Sequence, residues 1–128
     1  MWKEKALKKL RENGYKLTPQ RLKLLDVLEE TGKSHPSLND LLEEVRKDFL
    51  TMSFSTLYSN LQTLRELGLV ELFSLGGETR VELNTKPHIN LISGEEIIDL
   101  SDPEIIEAIQ RKTGKRVRLV NVLVGGEL

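Results

Sequence analysis

The sequence predicts an α+β fold, in which a helical N-terminal half precedes a smaller α/β unit. Four helical segments extend to Gly68, and two alternating runs follow at once around Gly76-Gly77. From Pro87 onward the chain forms short β-branched runs and one helix. Helices whose last member has a polar outward face, followed by a β-hairpin, are typical of a winged helix-turn-helix domain. We therefore predict that domain over residues 1–84 and an α/β dimerisation domain over residues 85–128.

The N-terminal helices are marked by their end signals. Residues 3–12 place apolar side chains at helical spacing, and Asn13-Gly14 ends that helix. Thr18-Pro19 combines an N-cap with a proline at the first helical position, and it begins a second helix that runs toward Thr31-Gly32. Ser37 caps a third helix. The apolar stripe of this third helix consists of Leu38, Leu41, Leu42 and Val45.

The fourth helix has an outward face suited to hydrogen bonding. Ser53 is its predicted N-cap, and Gly68 follows its last turn. Leucines recur from Leu57 to Leu67 at steps of four, three and three residues, so they share one face. The opposite face carries hydroxyls, an amide and a tyrosine, with few charges. Its members are Ser55, Thr56, Tyr58, Ser59 and Gln62.

Short strands complete the predicted fold. Leu69–Phe73 and Thr79–Leu83 alternate in hydropathy around the Gly-Gly turn and predict a hairpin. After Pro87 we predict strands at Ile89–Ile92 and Ile97–Leu100, a helix from Asp102-Pro103 to about Lys112, and a strand at Val117–Val124. These strands are too few to be stable alone, so we expect two copies of the chain to pair across a two-fold axis.

Composition excludes several classes of protein. With 38% hydrophobic and 30% charged residues the chain is globular, and no apolar run is long enough to cross a bilayer. The charged, amphipathic start is unlike a signal peptide, so we expect a cytoplasmic protein without a membrane partner. The absence of cysteine excludes disulfides and thiolate zinc sites. There is no glycine-rich phosphate loop and no nucleophile beside a base, so we do not expect an enzyme.

Charge and side-chain chemistry together favour DNA as the partner. Up to Leu25 the chain holds eight basic and two acidic residues, an excess that suits a polyanion. Short polar side chains at the start of the fourth helix can reach base edges, while basic residues hold phosphates. The predicted base-contacting residues are Ser53, Ser55, Thr56, Tyr58 and Ser59, and the predicted backbone-contacting residues are Lys16, Arg21 and Arg80. A solvated basic face, or a winged helix that binds another protein, remains the alternative.

Four segments carry a resemblance to a known family. They are Leu17–Arg21, His35–Leu41, Met52–Leu61 and Leu64–Val70, and in this order and spacing they resemble the ferric uptake regulator family of metal-dependent repressors. The resemblance implies a homodimer whose winged helices bind double-stranded DNA, with a palindromic operator. It also implies a regulatory metal at the hinge between the two domains. In that family Tyr58 would contact bases, and Arg21 would hold a phosphate.

The resemblance also implies a set of metal ligands. His35, Glu82, His88, Asn90 and Asp99 fall at positions that hold the regulatory metal in the family, although Asn90 replaces a histidine and Ser93 a cysteine. An amide in place of an imidazole shifts the set toward Mn(II) or Fe(II), with Zn(II) and Ni(II) as alternatives. The family's structural zinc tetrathiolate cannot form. Alternatively both histidines are structural, and the dimer binds DNA without metal.

Overall fold

A computed structural model describes all 128 residues, which form two compact units, Met1–Thr85 and Lys86–Leu128. The predicted α+β class and the winged helix-turn-helix arrangement are confirmed. The elements of the first unit are α1 (Trp2–Glu12), α2 (Pro19–Thr31), a short 3₁₀ turn (Gly32–Ser34), α3 (Leu38–Arg46), α4 (Phe54–Glu66), β1 (Glu71–Leu75) and β2 (Glu78–Glu82). Those of the second unit are β3 (His88–Ser93), β4 (Glu96–Leu100), α5 (Pro103–Thr113) and β5 (Leu119–Leu123).

Side-chain caps start the helices where the sequence predicts them. Thr18 Oγ1 accepts a hydrogen bond from the Arg21 amide at 3.2 Å, and Ser53 Oγ accepts one from the Thr56 amide at 3.1 Å. Ser37 forms a reciprocal capping box with Asp40. Each cap satisfies backbone donors that the first helical turn cannot pair internally. The starts of α2, α3 and α4 are therefore fixed by local chemistry.

The buried leucines of α4 fix its rotation. Leu57, Leu61 and Leu64 are each no more than 1% exposed, and they lie in a core shared by all four helices and the hairpin. Burial of a leucine side chain is worth about 2 kcal/mol, so turning this face outward would be costly. The polar side of α4 consequently faces solvent.

The hairpin turn is tighter than the sequence analysis predicts. β1 and β2 pair up to Leu75 and Glu78, so the loop contains only Gly76 and Gly77 and not five residues. Both glycines have positive φ, 59° and 80°, which is the conformation that a two-residue hairpin loop requires. The predicted turn at Gly76-Gly77 is confirmed, and the two strands extend closer to it than the alternation of hydropathy predicted.

The second unit is a three-stranded sheet with one helix. The strand order is β4-β3-β5, in which β3 pairs antiparallel with β4 and parallel with β5. The central strand β3 is the most buried, and α5 begins at the side-chain cap of Asp102. β5 begins two residues later than predicted, because the Val117 amide donates to the Gln110 side chain and not to a strand. No helix of either unit combines the length and hydropathy needed to span a lipid bilayer.

Candidate nucleic-acid interface and metal ligands

The outward face of α4 is open to solvent. All five residues that the sequence analysis selects to contact bases, namely Ser53, Ser55, Thr56, Tyr58 and Ser59, are exposed. Beside them lies a groove of 540 Å³ that is lined by the first turns of both α2 and α4 and includes Gln20 and Arg21. Amides at helix N-termini point outward and favour anions. The groove thus combines hydroxyl groups with the positive ends of two helices.

Phe54 adds an apolar element to this face that the sequence analysis missed. It is the first residue of α4 and is 47% exposed, and its ring stacks on that of Tyr58 with centroids 6.3 Å apart. The predicted stripe of leucines does not include Phe54, but helical spacing places it in line with Leu57 and Leu61. It is nevertheless exposed, in the first turn of α4 and ahead of the first buried leucine.

Arg21 is held by partners within its own unit. Its Nε donates to Asn60 Oδ1 at 3.0 Å, one terminal nitrogen donates to the Lys16 carbonyl at 2.7 Å, and the guanidinium lies 5.6 Å from the Tyr15 ring centroid. Asn60 in turn donates to the Thr56 carbonyl. Arg21 therefore connects the start of α2 to the middle of α4, while its charge remains at the edge of the groove.

Much of the N-terminal positive charge is paired internally. Lys3 forms an ion pair with Asp26, and Lys9 donates to the Leu67 carbonyl at 2.9 Å. The hydrogen bond from Lys23 to Asp48, 2.7 Å between nitrogen and oxygen, raises the pKa of Lys23 above its ordinary value. The exposed basic residues that remain without an ion pair are Lys5, Arg11 and Lys16. The excess of charge in the sequence thus overstates the charge available to a polyanion.

Arg80 lies in the middle of β2, opposite Phe73, and not at the hairpin tip. One terminal nitrogen donates to the His35 carbonyl at 3.1 Å, and the other lies 3.5 Å from Glu78 Oε2. Its Nε is buried without a hydrogen-bond partner. Arg80 was predicted to contact the DNA backbone. These contacts hold it against the loop before α3.

His35 and Glu82 form a buried pair within the first unit. His35 Nε2 lies 2.8 Å from Glu82 Oε2, and the two residues are 7% and 3% exposed. Glu82 Oε1 accepts from the Asn84 amide at 3.1 Å, and the His35 ring meets the edge of Phe73. His35 is the one non-glycine residue with positive φ, 53°. A left-handed residue costs about 1 kcal/mol, and such strain is often retained at functional sites.

His88, Asn90 and Asp99 lie together within the second unit. His88 Nδ1 donates to the Lys86 carbonyl at 2.7 Å, because a carbonyl oxygen can only accept. In a neutral imidazole Nε2 then carries the lone pair, and it lies 3.1 Å from Asn90 Oδ1 and 3.8 Å from Asp99 Oδ1. The three side chains therefore converge in the way that ligands of a cation do.

Asn121 is a second residue that the sequence analysis missed. It is paired in register with Asn90 on the neighbouring strand, and its side-chain oxygen accepts from Asn90 Nδ2 at 3.3 Å. This bond turns the oxygen of the Asn90 amide toward His88. Asn121 could have been recognised from the sequence as the single amide within the otherwise apolar run from Leu119 to Val124.

The donor set is restricted to nitrogen and oxygen. The five selected residues supply two imidazoles, two carboxylates and an amide, and the chain contains no cysteine. This mixture suits Mn(II), Fe(II) or Zn(II), and it excludes the thiolate zinc site. The structure brings His35 to Glu82 in one unit and His88 to Asn90 and Asp99 in the other.

Comparison with known proteins gives a consistent assignment. The profile of the ferric uptake regulator family matches residues 12–124. The ferric uptake regulation protein homolog of Archaeoglobus fulgidus is 54% identical over 124 residues, which cover 97% of each chain. The relation therefore extends over both units.

Solved structures show the same fold. The Campylobacter jejuni peroxide stress regulator aligns with a TM-score of 0.65 at 30% identity, covering 95% of this chain and 96% of that one. The Helicobacter pylori ferric uptake regulator, described with three functional metal binding sites, aligns with a TM-score of 0.73 at 23% identity, covering 98% and 91%. The chain belongs to the ferric uptake regulator family, and it is a transcription regulator and not an enzyme.

Proposed function

We propose that the chain is a sequence-specific DNA-binding repressor that acts as a homodimer and is switched by a divalent metal. One observation carries the metal-dependent part of this proposal. Both histidines of the chain are buried, and each has Nε2 within 3.1 Å of a side-chain oxygen. Imidazole nitrogens held beside carboxylate and amide oxygens are ligand types that a divalent cation takes, so a cation could bind these atoms in place of the contacts that now join them.

The DNA-binding part rests on α4 and the groove beside it. The hydroxyl groups of Ser53, Ser55, Thr56 and Ser59 would reach base edges, because a helix in the major groove contacts bases near its N-terminus. Lys16 and the two helix N-termini would hold phosphates. Arg21 would add positive charge there and also position α4. Arg80 would contribute to contacts with the DNA backbone by holding the hairpin in place.

A single ion with ligands from both units would link metal binding to DNA binding. His35 and Glu82 offer two ligands, and His88, Asn90 and Asp99 offer three. Mn(II), Fe(II) and Zn(II) are bound by roughly four to six ligand atoms in total. Water can complete the shell of an ion held by three protein ligands, but more protein ligands would hold the ion more tightly, so we propose that one ion takes ligands from both groups. When bound, the ion supplies positive charge among these oxygens and restrains the two units relative to each other.

The second unit is the proposed dimerisation domain. Its outer strands expose apolar side chains, including Ile98 on β4 and Leu123 on β5, which are 49% and 77% exposed. A small sheet with apolar outer residues is stabilised by association with a second copy. A two-fold dimer contacts two half-sites, so we expect a palindromic operator. We expect the protein to act in the cytoplasm, where that DNA lies.

Titration calorimetry with Mn(II) tests the metal site. Wild-type protein should bind about one ion per chain, and His35→Ala and His88→Ala should each reduce the affinity by more than tenfold. Asn13→Ala, which alters an exposed residue outside both groups, is the matched control and should bind as wild type does. Absence of Mn(II), Fe(II), Zn(II) and Ni(II) uptake would support the metal-independent alternative.

Selection from random duplexes tests the DNA-binding part. Wild-type protein with Mn(II) should enrich a palindromic sequence, and its affinity should fall steeply with salt because phosphate contacts release counterions. Protein that enriches no duplex under any metal condition would instead support the protein-interaction alternative.

A further inference from the structure

The first turn of α4 presents a stacked aromatic pair to solvent. Phe54 is 47% exposed and Tyr58 is 41% exposed, and their rings lie 15° from parallel with centroids 6.3 Å apart. Large aromatic side chains this exposed are informative, because their apolar area favours burial against a partner. Apart from this pair, the outward residues of α4 are polar.

Gln62 holds the pair in one orientation. Its side-chain amide donates to the Tyr58 hydroxyl at 2.7 Å, one helical turn further along the same face. The Tyr58 ring is thereby fixed, and Phe54 is supported against it. A pre-oriented apolar surface loses little side-chain freedom on binding, which is a general way to gain affinity.

We propose that Phe54, supported by Tyr58, contacts the C5-methyl group of a thymine in each operator half-site. The inference rests on the proposed function, in which the start of α4 enters the major groove. In that groove the thymine methyl group is the main apolar feature of the base edges, and phenylalanine is one of the side chains that contact it. The exposed hydroxyls of Ser53 and Ser55 beside Phe54, and the N-terminus of α4 itself, favour DNA over an apolar protein surface at this position.

Replacement of thymine by uracil tests this contact, because uracil lacks only the methyl group. The probe is the duplex that wild-type protein with Mn(II) enriches from a random pool, with each thymine replaced in turn. We expect one thymine per half-site at which uracil weakens wild-type binding about fourfold, the value of one buried methyl group. Phe54→Ala should bind the thymine duplex about fourfold more weakly and should not distinguish uracil from thymine at that site.

Ile105→Ala is the matched control, because it shortens another apolar side chain that is 44% exposed, on α5. It should keep wild-type affinity and wild-type sensitivity to uracil. If wild-type protein binds every uracil duplex as tightly as the thymine duplex, the inference is wrong. It is also wrong if Phe54→Ala is as sensitive to uracil as wild-type protein is. If wild-type protein enriches no duplex, the proposed function fails and the inference fails with it.

Discussion

Replacement of Arg21 by alanine separates two roles that one basic residue can have. A residue that only attracts phosphate can be removed without loss of stability, whereas one that positions α4 cannot. The structure gives Arg21 contacts to Asn60, to the Lys16 carbonyl and to the Tyr15 ring. We therefore predict that Arg21→Ala destabilises the first unit as well as weakening DNA binding.

The size of the effect follows from the contacts that are lost. The half-buried hydrogen bond to Asn60 is worth about 1 kcal/mol, the exposed one to the Lys16 carbonyl about 0.5 to 1 kcal/mol, and the cation–π contact adds about 0.5 kcal/mol. With allowance for solvent screening of an exposed charge, the total is about 2 kcal/mol. For a chain of this size that loss corresponds to a fall in the melting temperature of about 5 to 10 °C.

The assay is thermal unfolding followed by circular dichroism at fixed protein concentration, with DNA affinity measured at several salt concentrations. Lys16→Ala is the matched control, since it removes one positive charge nearby from an exposed side chain without an ion pair. The control should change stability by less than about 0.5 kcal/mol and lower the salt slope by about 0.9. If Arg21→Ala melts at the wild-type temperature and differs from wild type only in its salt slope, the positioning role is wrong.

Three further predictions concern the metal ligands, the cap of α4 and the packing beneath the hairpin. Glu82→Gln keeps the shape of the side chain but removes a charged ligand, so calorimetry should show Mn(II) affinity lowered by more than about 100-fold, with the circular dichroism spectrum unchanged. Ser53→Ala should cost about 1 kcal/mol of unfolding free energy through loss of the cap, whereas Ser53→Asp should keep stability but weaken DNA binding at least about tenfold, as measured by fluorescence anisotropy. Gly32→Ala should destabilise by about 1 to 3 kcal/mol in urea unfolding, because its Cβ would lie 2.1 Å from Leu83 Cδ1, and Leu83→Ala in the same chain should recover part of that loss.

Local signals in the sequence were sufficient for much of the fold. Thr18, Ser37 and Ser53 were predicted as caps because a hydroxyl just before an apolar helical repeat can accept a hydrogen bond from an amide of the first turn. The structure confirms all three. The Gly76-Gly77 turn lies where it was predicted, but the strands on either side of it are longer than predicted, since alternation of hydropathy sets the faces of two strands and leaves their register open. The two glycines with positive φ settle that register in the structure.

The environment of each site residue depends on contacts that are distant in sequence. Arg80 is drawn to the His35 carbonyl, 45 positions away, and the pattern around the hairpin gave no sign of this contact. Asn121 meets Asn90 only because β5 lies parallel to β3, a pairing that hydropathy does not encode. Phe54 lies outside the predicted stripe of leucines, and helical spacing alone does not show that its ring is exposed and stacked on Tyr58.

The central claim is that metal binding controls DNA binding, and the most direct test measures both together. Fluorescence anisotropy of the selected duplex should give an affinity at least about tenfold higher in saturating Mn(II) than in chelator, which corresponds to a coupling free energy of about 1.4 kcal/mol or more. In a chain that carries both His35→Ala and His88→Ala, this difference should disappear. Equal affinity of the wild-type protein in Mn(II), Fe(II), Zn(II), Ni(II) and chelator would contradict the claim.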